Sequence, residues 1–171
     1  GVSTASGLPT YRGVGGIYND GTTEEDLPIE TVLAGETFAR NPELTWRYLA
    51  KMEKSCRGAV ANDAHRVMRE MEDTFDDVCI LTQNIDGLHA VAGSTNIIDI
   101  HGDIHDLSCL RCEWSGRFDD YSALQIPPYC PVCNTIVRPD VVLFGEMIPS
   151  DKIQKLHNAL DRGFDLYFSI G

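Results

Sequence analysis

Several features that would indicate a functional class are missing from this 171-residue sequence. No apolar run approaches the roughly 18 residues that a membrane span needs, and no signal peptide is visible. No basic run offsets the formal net charge of −12, so direct binding of nucleic acid is disfavoured. Solubility is the better interpretation of this negative charge, and binding of basic protein partners is the second. We expect an intracellular, cytoplasmic protein with no membrane partner and no direct nucleic-acid partner.

The G-x-G-x-x-G fingerprint of many dinucleotide-binding proteins is also absent. Small side chains dominate residues 1–16, together with an aromatic–arginine pair at Tyr11 and Arg12. Small side chains let backbone N–H groups approach an anion, and an arginine can hold a phosphate or a carboxylate. A flexible loop near a chain end has the same composition, so the residues alone leave both interpretations open.

Six cysteines are present, and four of them form two Cys-x-x-Cys pairs separated by 17 residues: Cys109, Cys112, Cys130 and Cys133. Such pairs in a chain with no secretion signal favour metal binding over disulfides. The spacing is typical of a zinc ribbon, in which two tight turns direct four thiolates at one tetrahedral ion. A redox pair or an iron–sulfur cluster is the alternative. We predict one structural Zn²⁺.

Hydrophobic periodicity predicts a mostly parallel α/β domain with the cysteine region inserted in it. Short apolar runs predict strands over 78–81, 97–100, 140–144 and 165–170, the last two as part of a parallel sheet. Helices are predicted over 28–40, after an Asn41 cap, after Asn62, and from a Ser150 cap to Gly163. Polar loops follow the first two strands, at the edge where open α/β sheets bind ligands.

Two helices have apolar stripes that predict core faces. One stripe contains Leu44, Tyr48, Leu49 and Met52, and the other contains Ala64, Val67, Met68 and Met71. His65 lies near the start of the second helix, where a hydrogen-bonded structural role is the better interpretation.

Three motifs, in chain order, make this sequence resemble the sirtuins, the NAD-dependent protein lysine deacylases. Gly1-Val2-Ser3 and Gly7-Leu8-Pro9-x-Tyr11-Arg12-Gly13 form the first. The second is Thr82 to His89, Thr-Gln-Asn-Ile-Asp-Gly-Leu-His, followed by Ile100-His101-Gly102. The third is Arg138 to Glu146, Arg-Pro-Asp-Val-Val-x-Phe-Gly-Glu, which follows the four cysteines.

The resemblance implies a Rossmann-type parallel-sheet domain and a smaller domain made of a helical insert and a four-cysteine zinc ribbon. We expect residues 1–16, 60–102 and 139–171 in the NAD-binding domain, 17–59 in the cofactor loop and helical module, and 103–138 in the zinc ribbon. It also implies that the family's opening strand precedes Gly1 and that part of its adenosine site follows Gly171, so that this chain is truncated at both ends.

The resemblance further implies NAD as cofactor and an acetyl-lysine protein or peptide as substrate. The acyl group would pass to ADP-ribose with release of nicotinamide. His101 would act as general base, since an unperturbed imidazole accepts a proton near neutral pH, and Asn84 would be the second catalytic residue.

The resemblance also implies two sets of binding residues. The implied cofactor-binding residues are Gly1, Ser3, Thr10, Tyr11, Arg12, Gln83, Asn84, Ile85, Asp86 and Gly171. The implied substrate-binding residues are Val142, Phe144, Gly145 and Glu146, with the backbone of the last two pairing with an extended peptide. His89, His105 and His157 do not match the base and are interpreted as structural or exposed.

One departure from the family pattern concerns the acyl group. Sirtuins that remove acidic acyl groups carry Tyr-x-x-Arg where this chain has Leu49 and Met52. A succinyl or malonyl carboxylate would then be buried unpaired, which is costly, so neutral acyl groups are expected.

Two other functions stay open: a zinc-ribbon interaction module on an inactive scaffold, and mono-ADP-ribosyl transfer by the same fold.

Overall fold

The computed structural model describes residues 1–10 and 23–170. These ranges contain a short 3-10 helix at Val2–Ser6, followed by six α-helices and five strands. The helices are α1 (Ile29–Val32), α2 (Gly35–Arg40), α3 (Pro42–Cys56), α4 (Asp63–Met71), α5 (Leu88–Val91) and α6 (Ser150–Arg162). The strands are β1 (Ile80–Thr82), β2 (Ile97–Asp99), β3 (Gly102–Cys109), β4 (Ser115–Arg117) and β5 (Val137–Val141). None of the helices in these ranges is long and apolar enough to cross a membrane.

The strands β1 and β2 pair in parallel, with Ile80 opposite Ile97 and Thr82 opposite Asp99. This confirms the first two predicted strands: β1 begins two residues and ends one residue later than predicted, and β2 begins as predicted and ends one residue earlier. Lys152 of α6 donates to the Asp99 carbonyl at 2.8 Å and so holds the helix against β2. Because both strands end at the same edge, the polar loops that follow them are neighbours.

The other three strands form an antiparallel sheet in the order β4-β3-β5. The strand predicted over 140–144 in a parallel sheet is therefore wrong in place and direction: β5 spans Val137–Val141 and runs antiparallel to β3. The strand predicted over 165–170 is also wrong. Tyr167 and Phe168 are about 70% exposed there, and the segment has no neighbouring strand among the described residues to accept its backbone hydrogen bonds.

Asparagine side chains begin two helices as the sequence predicted. Asn41 accepts the Leu44 N–H at 3.2 Å, and Asn62 accepts the Ala64 N–H at 2.9 Å. The Ser150 cap is wrong, because α6 begins at Ser150 itself and Pro149 occupies the cap position with no side-chain hydrogen bond. Gly163 ends this helix as predicted, with a positive φ of 76°.

The single helix predicted over 28–40 is in fact two helices, interrupted at Ala34. The interruption has a tertiary cause. Phe144 donates its N–H to the Leu33 carbonyl, and the Phe144 carbonyl accepts the Gly35 N–H, both at 3.0 Å. These hydrogen bonds hold Ala34 extended beside Phe144 as an isolated parallel bridge.

One apolar core joins α1–α3 to the antiparallel sheet. Trp46 is fully buried in this core and donates its indole N–H to the Val137 carbonyl of β5 at 2.8 Å. Tyr48 and Leu49 are buried as predicted. The helical module and the cysteine region therefore pack as one body.

The face of α4 differs from the prediction. Val67 is 53% exposed and Ala64 is exposed, whereas His65 is completely buried. In this position the Nδ1 of His65 accepts the Asn62 N–H at 3.3 Å, and its ring lies 4.8 Å from the ring of His89. The structural interpretation of His65 is consistent with this position.

Replacing Trp46 should test whether the helices and the sheet share one core. Trp46→Phe removes buried volume and leaves the Val137 carbonyl without its donor, so we expect a loss of about 3 kcal/mol in the free energy of unfolding. Urea denaturation followed by far-UV circular dichroism measures this loss. Trp114→Phe is the matched control: Trp114 is only half-buried, and the loss there should be clearly smaller. Equal losses would contradict the shared core.

Candidate active site and zinc centre

The 3-10 helix brings a serine into the loop that follows β1. Ser3 is buried; its Oγ donates to Asp86 Oδ2 at 2.6 Å and accepts from Asn84 Nδ2 at 2.9 Å. Gly1 lies next to the same amide, since a Cβ at Gly1 would be 4.0 Å from Asn84 Oδ1. Three of the predicted cofactor residues thus form one hydrogen-bonded group, although Ser3 precedes the other two by some 80 residues in the sequence.

The loop itself is folded by its own polar side chains. The Asn84 N–H donates to Thr82 Oγ1 at 3.1 Å, and the Leu88 N–H donates to Asp86 Oδ1 at 3.0 Å, where α5 begins. Ile85 packs partly against the main core, whereas Gln83 is exposed. The loop therefore presents amide and carboxylate groups over an apolar support.

His101 follows β2 and precedes β3. Its carbonyl accepts the Val142 N–H at 3.0 Å, and its side chain is half-buried. Gly102 has a φ of +86°, and a Cβ there would lie 1.7 Å from the Asp140 carbonyl oxygen, so only glycine fits. Close contact between Gly102 and the end of β5 thus fixes the backbone at His101.

The predicted substrate residues lie just beyond β5. The Glu146 carboxylate accepts from Arg138 at 2.6 and 2.9 Å and from the Leu143 N–H at 2.9 Å. Although burial alone would raise the pKa of Glu146, the Arg138 guanidinium and the Leu143 N–H lower it below its ordinary value. The Glu146 side chain therefore stabilises the loop that follows β5. Gly145, in the same loop, has a φ of +79° and is exposed.

Two clefts adjoin these residues, and Gly102 lines both. One, of about 260 Å³, is lined by Asn84 and Asp86 and by two residues that sequence reasoning missed, Asp103 and Arg117. The other, of about 200 Å³, is lined by Val142 and Glu146 together with charged residues of β5 and α6. Two of the predicted cofactor residues and two of the predicted substrate residues thus line different clefts, which share Gly102.

Some predicted residues are not brought into this arrangement. Thr10 is half-buried and makes no hydrogen bond within the described residues. Tyr11, Arg12 and Gly171 lie outside the described residues.

Sequence reasoning also missed a role of Asn62 besides capping: its Nδ2 donates to the Val2 carbonyl and to Ser6 Oγ, both at 2.9 Å. The cap signal identified the residue, but nothing in the sequence indicated this contact.

The remaining histidines differ from His101. His89 is buried, and burial lowers its pKa. His105 is buried in an ion pair with Asp103, and His157 is exposed on α6. These positions agree with their interpretation as structural or exposed residues.

The four paired cysteines converge as predicted. Their sulfur atoms all lie within 4.8 Å of one another, with 3.4 Å between Cys109 and Cys133 and 3.6 Å between Cys112 and Cys130. A tetrahedral zinc with bonds of about 2.3 Å needs sulfurs about 3.8 Å apart. The donor set therefore fits one structural Zn²⁺, and its four thiolates complete the coordination sphere.

Removing the metal should loosen the cysteine region, because the two tight turns that carry the cysteines depend on the ion for stability. We expect one zinc per chain by elemental analysis, and a fall of about 10 °C in Tm with a strong chelator or in Cys112→Ser. Cys79→Ser, which alters a half-buried cysteine outside the cluster, should leave the zinc content unchanged. A zinc-free protein with an unaltered Tm would contradict the assignment.

Comparison with known proteins identifies relatives over the whole chain. The model of the Sir2 family matches residues 1–171. An "NAD-dependent protein deacylase 2" of Pseudomonas aeruginosa is 44% identical over 174 residues, covering 100% of this chain and 68% of the relative. A protein of the same description from Pseudomonas syringae pv. tomato is 43% identical, covering 100% of this chain and 70% of the relative.

Solved structures agree with the sequence relatives. A mutant Sir2 homologue in complex with ADP-ribose has a TM-score of 0.81 at 33% identity, over 94% of this chain and 62% of that one. A Sir2 homologue bound to NAD has a TM-score of 0.78 at 33% identity, over 94% of this chain and 60% of that one. A Sir2 complex with a p53 peptide and NAD⁺ has a TM-score of 0.72 at 30% identity, over 90% and 60%.

This chain spans about two thirds of the length of the curated relatives and about three fifths of the solved chains. The prediction of a relative of NAD-dependent protein deacylases, with an α/β fold and a four-cysteine zinc ribbon, is confirmed. With the family model matched from end to end and the same fold in its solved members, the chain belongs to the Sir2 family.

Proposed function

We propose that the protein removes neutral acyl groups, acetyl above all, from lysine side chains in an NAD-dependent reaction that releases nicotinamide. The single observation that carries this proposal is the group formed by Ser3, Asn84 and Asp86 at the edge of the sheet where His101 also lies. The relatives support it, since they are described as NAD-dependent protein deacylases.

The donor set of this site suits NAD. A carboxylate such as Asp86 accepts from a carboxamide, and the amides of Gln83 and Asn84 can hold ribose hydroxyls or a water. Ser3 already donates to Asp86 at 2.6 Å, so this carboxylate is positioned by the protein before any ligand binds. When bound, NAD supplies a ribose carbon that becomes electrophilic as nicotinamide leaves.

The protein's own contribution is positioning and proton transfer. His101 would accept a proton from a ribose hydroxyl, because a neutral imidazole nitrogen can act as a general base. Asn84 orients the reacting groups through its amide. Ile85, which packs partly against the core, would limit the access of water to the nicotinamide ring. The backbone of Gly102, fixed against β5, holds the base in place.

The substrate we propose is an extended peptide that carries acyl-lysine, bound at Val142, Phe144, Gly145 and Glu146. The structurally similar Sir2 complex with a p53 peptide supports this kind of partner. The Arg138–Glu146 ion pair stiffens the loop on which the peptide would lie. No basic run offers a nucleic-acid surface.

We also propose the domain arrangement predicted from the sequence, with 1–16, 60–102 and 139–171 as the cofactor domain. Residues 17–59 and 103–138 form the smaller domain, and the Trp46–Val137 hydrogen bond that joins them supports this grouping. An intracellular, cytoplasmic location is supported by cysteines held as a thiol cluster rather than as disulfides.

A peptide assay with His101→Ala tests the proposed function. The wild-type protein, given NAD and an acetyl-lysine peptide, should release nicotinamide and deacetylated peptide, and His101→Ala should lower the rate at least about a hundredfold, as the loss of a general base does. His157→Ala, on the exposed face of α6, is the matched control and should keep its activity.

Each other outcome has a definite meaning. No nicotinamide from the wild type indicates an inactive scaffold with a zinc-ribbon interaction role. Nicotinamide with ADP-ribosylated protein and no deacetylation indicates ADP-ribosyl transfer. Full activity in a folded His101→Ala protein removes the base assignment.

Acyl selectivity provides a second test. Leu49 is buried in the core and Met52 packs against it, so neither offers a charged partner to an acidic acyl group. We expect acetyl-lysine peptide to be turned over at least about tenfold faster than the same peptide carrying succinyl-lysine, because an unpaired buried carboxylate is costly. Equal rates on the two peptides, followed by mass spectrometry, would contradict this selectivity.

A further inference from the structure

A buried carboxylate two residues after His101 has no role in the function proposed above. Asp103 is the second residue of β3 and is only 9% exposed. Its Oδ1 accepts the His105 N–H at 2.9 Å and lies 3.0 Å from His105 Nδ1, while its Oδ2 accepts from Arg117 of β4 at 3.0 Å. Both oxygens are therefore held by the antiparallel sheet that also carries Cys109.

The same carboxylate packs directly on the loop that contains Asp86. Gly87 has a φ of +70°, and a Cβ there would lie 2.8 Å from Asp103 Oδ2 and 3.4 Å from Arg117 Nη2. The next residue of β3, Ile104, donates its N–H to the Ile85 carbonyl at 2.9 Å. The residues on both sides of Asp86 thus lie against Asp103 and its neighbour.

We infer that Asp103 is a positioning residue for the proposed cofactor site: it holds the Ile85–Leu88 loop on β3 and ties that loop to the zinc ribbon through Arg117. The inference rests on the proposed function for its effect on NAD, but the contact itself is independent of any reaction. The sheet order β4-β3-β5 supports it, because β4 pairs with β3 and places Arg117 opposite Asp106, within 3.0 Å of the Asp103 carboxylate.

Electrostatics is consistent with this role. Although burial alone would raise the pKa of Asp103, its hydrogen bonds from His105 and Arg117 lower it. The hydrogen bond to Asp103 raises the pKa of His105, whereas burial lowers it. The other charged groups that face this imidazole are Arg117 and Asp119. The stabilisation from a protonated His105 is therefore complete below its unfolded pKa of about 6.5 and is lost as pH rises through its higher folded pKa.

Asp103→Asn in the otherwise intact protein is the direct test. The amide keeps the size of the carboxylate but replaces one of its two oxygens by an NH2 group, so that either Arg117 or His105 loses its acceptor. We expect the KM for NAD to rise about tenfold, with a smaller change in kcat, as for the loss of a charged hydrogen bond. Hydrogen exchange at the Leu88 and Ile104 amides should become faster.

Asp119→Asn is the matched control. Asp119 also pairs with Arg117, at 3.3 Å, but its side chain is 83% exposed and does not line the cleft at Asp86. The KM for NAD and the two exchange rates should stay at their wild-type values in this variant. A change as large as that in Asp103→Asn would overturn the specific role of Asp103.

His105→Asn separates positioning from simple stability. Its amide nitrogen can still donate to Asp103 but carries no titrating charge. The wild-type KM for NAD should rise with pH through the folded pKa of His105, whereas the KM of His105→Asn should not follow this rise. A pH dependence identical to that of the wild type would count against the inference.

The failure of this inference can be distinguished from the failure of the proposed function. If the wild type neither binds nor consumes NAD, the proposed function fails, and hydrogen exchange at Leu88 and Ile104 still tests the contact. If NAD is consumed but Asp103→Asn has unchanged exchange and unchanged KM, the inference is overturned. Should Asp103→Asn not fold, Arg117→Gln replaces it, with the same changes expected to a smaller extent.

Discussion

The antiparallel pairing of β3 with β5 is the constraint on which the rest of this structure depends. One end of β3 follows His101, whose carbonyl accepts the Val142 N–H, and the other end supplies the zinc ligand Cys109. Gly102 comes so close to the Asp140 carbonyl that no side chain fits there. The pairing of β3 with β5, whose register shifts between Asp103 and Leu107, therefore positions the proposed base at one end and a ligand of the metal centre at the other.

Other elements are attached to this pair by contacts of different kinds. Trp46 fixes the helical module to β5 by a buried hydrogen bond, and Phe144 fixes it by a backbone bridge at Ala34. Asp103 fixes the polar loop before α5 to β3 through Gly87. A buried hydrogen bond and a backbone bridge thus join the helical module, and a buried ion pair joins the polar loop, to the same part of the fold, which makes the site a product of tertiary packing.

Several locally determined features could be predicted from the sequence, although the predicted Ser150 cap was wrong. The caps at Asn41 and Asn62, the convergence of four cysteines and the parallel strands before the polar loops depend on neighbouring residues or on strict spacing, and they were predictable. The interruption at Ala34 was not, because it depends on Phe144, more than a hundred residues later. The predicted strand over 165–170 failed because apolar residues make a strand only beside a partner. Asp103 was missed because its importance depends on contacts with Gly87 and Arg117 that the sequence does not reveal.

The central claim is that the loop from Gln83 to Asp86 and His101 together form one NAD site. A crystal structure of the protein with NAD and an acetyl-lysine peptide tests it most directly. We expect the nicotinamide carboxamide at Asp86, the ribose beside Asn84, and His101 within hydrogen-bonding distance of a ribose hydroxyl. Nicotinamide and ribose bound away from this loop, with His101 facing neither, would contradict this assignment.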